Sequence, residues 1–118
     1  MVPVIYIKVE VFLLEKMILN ASLHNQKNIK YIRKYEDVFC GVEVIAEKRV
    51  ILKYLTAFYP NLSTTGRVYD NVKRIVVESK VDNGYFDGEY YWDETDIYHF
   101  KEYNMPLNQE FIDYVMSK

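Results

Sequence analysis

Little in this chain is available for the common kinds of catalytic or metal chemistry. A single cysteine, Cys40, leaves no partner for an intramolecular disulfide and too few thiolates for a cysteine-based zinc site. One lone thiol suits a reducing compartment, so a cytoplasmic setting is expected, in the producing cell or in a host. His24 and His99 are the only histidines, with neither HxH nor HxxxH spacing, and they make a poor metal pair. Gly41, Gly66, Gly84 and Gly88 match neither GxGxxG nor the P-loop, which excludes the usual phosphate cradles. Long apolar runs are missing too. The strongest, Met1 to Leu14, is interrupted by Lys8 and Glu10, lacks a basic leader and falls short of the roughly 20 residues that a span needs. Neither a membrane anchor nor a signal peptide is expected, and neither a cofactor nor a metal.

What is present belongs to an ordinary folded domain. The chain has 118 residues, half of them apolar and 27% charged, which predicts one domain over 1–118 with its own core. Tyrosine is the outlier, at 12 residues. Its rigid apolar ring and polar tip serve both cores and binding surfaces. Net charge is only −2, but 13 Lys and Arg face 8 Asp and Glu before residue 81, against 2 and 9 from there on. Such asymmetry suits a dipolar surface that orients a partner or a second copy, unless the two sets mingle in the fold.

Hydrophobic period sets the expected elements. Ile5, Ile7, Val9, Val11 and Leu13 alternate, which reads as a core strand. Leu14, Met17, Ile18 and Ala21 have helical spacing, and 24–28 is polar loop. Ile29 to Tyr35 fits either a strand or a helical turn. Asp37 to Ala46 alternates as a strand with Gly41 as a bulge. Val50, Ile51, Tyr54, Leu55 and Phe58 then form one stripe of a helix over Glu47–Tyr59, stopped by Pro60. Residues 60–71 carry the turn residues of a long loop. Val72–Val81 and Tyr85–Trp92 read as a hairpin around Asn83-Gly84, with a third strand at Asp96–Lys101. Pro106, at a first-turn position, starts a C-terminal helix using Leu107, Phe111, Ile112 and Val115. The expected class is α+β, with an antiparallel sheet of about four to six strands and two or three helices.

Three stretches carry chemistry worth weighing. In the first, Tyr85, Tyr90, Tyr91 and Trp92 interleave with Asp87, Glu89, Asp93 and Glu94. Carboxylates are seldom buried without partners, so this mixture suits a face anchored by rings and steered by charge onto a basic partner protein. Asn83, Asp87, Gly88 and Glu94 also half-fit a calcium loop, but Tyr85 stands where an oxygen ligand belongs, and the turn explains the glycines better. Second, Lys27, Lys30, Arg33 and Lys34 interleave with Tyr31 and Tyr35, a pattern that holds single-stranded nucleic acid by phosphate contacts and stacking. A sequence pI near 5.7 speaks against a dedicated binder. Third, His99 lies beside several acids and could serve a small hydrolase or nuclease, though the sequence nominates no nucleophile or oxyanion donor.

The Tyr-, Asn-, Lys- and Ile-rich composition resembles that of small accessory proteins of phages, archaeal viruses and mobile elements. The resemblance is compositional and transfers no site residue. The leading expectation, drawn from the acidic aromatic segment, is a non-enzymatic binding or inhibitor protein, such as an anti-defence accessory; nucleic-acid binding through the 27–35 patch and hydrolysis around His99 are the alternatives.

Overall fold

The computed structural model describes residues 29–38 and 40–118. The strand expected at Met1–Leu14, the helical spacing after it, the polar loop and Lys27 lie outside the described residues. Within them the α+β class holds. The described residues form five strands and three helices: β1 (Lys30–Tyr31), α1 (Lys48–Leu55), β2 (Arg67–Asp70), β3 (Ile75–Val81), β4 (Gly84–Phe86), β5 (Tyr90–Asp93), α2 (Glu94–Tyr103) and α3 (Gln109–Met116). The strands divide into two small sheets rather than one larger one. One has the order β1-β5-β4, with β1 parallel and β4 antiparallel to β5; the other is the antiparallel pair β2-β3.

The turn that makes the β4–β5 hairpin is not the expected one. Tyr85 stands opposite Trp92 and Phe86 opposite Tyr91, so the chain reverses at Asp87-Gly88-Glu89. There Gly88 takes φ +104°, a conformation that only glycine adopts without strain. Asn83 and Gly84 have no positive φ. They carry the chain from the β2-β3 sheet into the other one, where Gly84 pairs with Leu62. Gly84 is needed for space instead: a Cβ there would lie 2.8 Å from the Tyr91 hydroxyl oxygen.

Residues 96–101, expected as a strand, are the body of α2. The local reason is a reciprocal cap. The Asp93 carboxylate accepts from the Asp96 N–H (2.9 Å) and the Asp96 carboxylate accepts from the Asp93 N–H (3.1 Å). Glu94 and Asp96 in the first turn suit the positive end of the helix dipole, and Asn104 closes the other end in the left-handed region at φ 54°. Two further expectations fail. The described part of 37–46 is irregular, with Val42 99% exposed and the Gly41 N–H donating to the Tyr103 carbonyl (2.7 Å). The long loop of 60–71 contains β2.

Helix α1 ends at Leu55, short of the expected Tyr59; it buries Ile51 and Leu55 and half-buries Tyr54, Val50 faces water, and Phe58, beyond the helix, is half-buried. Helix α3 buries Phe111, Ile112 and Val115; Pro106 precedes it by three residues rather than opening its first turn. These faces converge on Trp92, which is fully buried. Its ring stacks on Tyr85 at 6.2 Å and meets Phe58 edge-on at 5.4 Å, and its Nε1–H donates to the Leu55 carbonyl (3.2 Å). Ring pairs of this kind add about 0.5–1.5 kcal/mol each beyond burial of area.

Candidate functional site

The acidic, aromatic segment that the sequence nominates as a docking surface is built into the interior. Tyr85, Tyr90, Tyr91 and Trp92 are all buried, so none is free to anchor a partner. The carboxylates among them have internal partners. Asp87 sits at the β4–β5 turn, where its Oδ1 accepts from the N–H of Glu89 (2.9 Å) and Tyr90 (2.7 Å). Its Oδ2 accepts from the hydroxyls of Tyr54 of α1 and Tyr114 of α3, the latter at 2.9 Å. Burial alone would push this carboxyl up, but the two hydroxyls and two amides outweigh it and hold the group below the usual carboxylate range. Glu94 accepts from the Tyr85 hydroxyl, and the exposed Glu89 lies 3.8 Å from Lys30.

A second aspartate, which sequence reading passed over, is treated in the same way. Asp70 ends β2 and is fully buried. Its Oδ1 accepts from the N–H of Val72 (2.9 Å) and Lys73 (2.7 Å); its Oδ2 accepts from Tyr98 (2.6 Å) and Tyr103 of α2. Burial raises its pKa, the hydroxyls of Tyr103 and Tyr98 and the two amides lower it, and the balance falls well below the ordinary range. The only sequence signal was a turn, Asp70-Asn71, followed by two tyrosines much further along.

The basic patch is divided between inside and outside. The Arg33 guanidinium reaches Asp96 through Nε and lies 3.9 Å from Asp93, beneath the start of α2. Asp96 is pushed up to about 8 by burial and by the neighbouring Asp93, against the pull of Arg33. Lys30 pairs with Glu110 (2.7 Å). That leaves Tyr31, Lys34 and Tyr35 at the surface, with the Lys34 ammonium 5.5 Å from the centre of the Tyr35 ring.

His99 is fully buried, and both of its nitrogens are occupied by the backbone. Nε2 accepts from the Asn71 N–H (3.0 Å), so the proton sits on Nδ1 and is donated to the Thr95 carbonyl (2.8 Å). With no lone pair facing a cavity, the ring is a structural group that ties α2 to the β2–β3 turn. Among the described residues no cluster of three or more His, Cys, Asp or Glu is placed to hold a metal ion, and no helix is long and apolar enough to cross a membrane.

Two further surface features stand out among the described residues, and periodicity alone points to neither. The β2–β3 hairpin leaves Tyr69, Val72, Ile75 and Val76 between 44% and 53% exposed. A cavity of about 310 Å³ lies between α1 and α2, with Lys53, Lys80 and Lys101 among its lining residues. The three lysines come from three separate elements, so their meeting could not be read from spacing. Compared with family models, curated proteins and solved structures, the chain matches none.

Proposed function

We propose that the chain is a non-enzymatic binding protein and that the β2–β3 hairpin, rather than the acidic aromatic segment, is its contact surface. The observation that carries this reading is the concentration of half-exposed large apolar side chains on the hairpin, while the rings of the expected surface are spent on the core. Tyr69 and Val76 stand directly opposite each other and share one face; Ile75 stands opposite Asp70 on the other. Among the described residues β3 pairs only with β2, so its outer edge offers backbone N–H and carbonyl groups to an added strand. Exposed Arg67, Lys73, Arg74 and Lys80 outnumber the single exposed carboxylate, Glu78, so the matching partner is a protein with an acidic surface. The composition supports a small accessory or inhibitor role in the cytoplasm of the producing or host cell.

A second reading, binding of single-stranded nucleic acid, is favoured by Tyr31 and Tyr35, both about half exposed with Lys34 between them in sequence. One experiment separates the two. A photo-crosslinking residue is placed at Val76, at Tyr31 or at the exposed Asp113, and each folded protein is irradiated in a lysate of the source cell or its host. The proposal requires a discrete acidic protein joined at position 76 and not at 113. Capture of nucleic acid at 31 alone supports the second reading, a self-crosslink at 76 assigns the hairpin to a second copy, and equal labelling at 76 and 113 contradicts a hairpin interface.

A further inference from the structure

The cavity between α1 and α2 has the chemistry of an anion site, distinct from the hairpin tip. Its apolar part is Leu52 of α1 and the buried Ile97 of α2, with Tyr98 alongside. The Tyr98 hydroxyl is tied to Asp70 (2.6 Å), which holds the ring in place. Lys53, Lys80 and Lys101 line the same space, one each from α1, β3 and α2. Among the described residues none of the three has a carboxylate within ion-pair distance. The single acid in the lining, Glu94, accepts from Tyr85. Three lysines against one carboxylate give the lining residues a net positive charge, beside an apolar surface and a fixed ring.

We propose that this cavity binds a phosphate monoester carried on a small apolar or aromatic body. A phosphate monoester brings a charge of about −1.5 to −2 at pH 7 and three acceptor oxygens, which suits several lysine donors better than one carboxylate would. The apolar body lies against Leu52, Ile97 and the Tyr98 ring. A volume of about 310 Å³ sits at the small end of ligand cavities, which favours a small molecule over a long polymer.

Phenyl phosphate is the probe, titrated by calorimetry in low salt against inorganic phosphate, phenol and a short single-stranded oligonucleotide. The expected result is one site for phenyl phosphate, weaker binding of inorganic phosphate and none of phenol. The double variant Lys53→Gln/Lys101→Gln, exposed positions that leave the core intact, loses at least about tenfold in affinity, or 1.4 kcal/mol. Lys34→Gln removes one charge outside the cavity lining and leaves affinity unchanged. No binding of phenyl phosphate, an equal loss in Lys34→Gln, or binding of the oligonucleotide alone would each overturn the proposal.

Discussion

Asp70 and Asp87 meet the same problem in the same way. Each ends a strand at a turn, folds back on two backbone amides, and is closed over by two tyrosine hydroxyls from helices distant in sequence. A hydrogen bond to a charged group is worth about 1.5–3 kcal/mol, enough to make a buried carboxylate tolerable where an unpartnered one is not. Four of the twelve tyrosines are used this way, and this pairing was illegible in the sequence: nothing local links Tyr54 to Asp87 or Tyr103 to Asp70. The glycines were half legible. The expected reversal lay at Asn83-Gly84, but Gly84 belongs to β4 and the pairing of Tyr85 with Trp92 moves the turn to Asp87-Gly88-Glu89. The difference yields a test. If Gly84 were needed for a left-handed turn, Asn would be tolerated there better than Ala. Because the Tyr91 ring fills the space instead, Gly84→Asn should cost more than Gly84→Ala, the latter about 1–3 kcal/mol. Urea midpoints of the two variants give the order, and the reverse order contradicts the crowding account.

At the scale of the element, the helices with clean apolar stripes were legible and the one without was not. Of the expected stripes, Ile51 and Leu55 of α1 and Phe111, Ile112 and Val115 of α3 are buried, Tyr54 is half-buried and Val50 is exposed. Helix α2 hid because Ile97, Tyr98, His99 and Phe100 give no clear period, and its start is signalled only by an aspartate three residues before another. The helix wins because Asp93 and Asp96 cap each other's amides and Arg33 supplies the counter-charge from β1's side of the sheet. The best-marked helix makes the simplest prediction. Leu55 is fully buried and its carbonyl holds the Trp92 indole, so Leu55→Ala should cost about 2–5 kcal/mol in equilibrium unfolding. A loss under about 0.5 kcal/mol, the range of surface sites, would place α1 elsewhere.

Across the whole molecule, the acids set how stability follows pH. Asp70 and Asp87 lie below their ordinary range when folded, so their contribution is present above an unfolded value of about 4 and is lost as pH falls below it. Asp96 runs the other way. Raised to about 8, it favours the fold most when protonated, and that contribution is lost as pH rises from about 4 towards 8. The urea midpoint at constant ionic strength should therefore climb from pH 2, peak near pH 4 to 5 and decline towards pH 8. Asp96→Asn should flatten the decline. A wild-type midpoint flat from pH 5 to 8 would show that Arg33 carries the Asp96 charge without cost.

At this scale the acidic aromatic segment is part of the framework, with Tyr85, Tyr90, Tyr91 and Trp92 all buried. Trp92, the only tryptophan, lies in the middle of that segment and reports on it alone. Acrylamide quenching of its fluorescence in the native protein is the most direct measurement. A fully enclosed indole bonded to the Leu55 carbonyl should emit to the blue of the urea-unfolded chain and be quenched far less than that chain. Native quenching as strong as in urea, with emission at the same wavelength, would place the ring at the surface and restore the segment as a docking face.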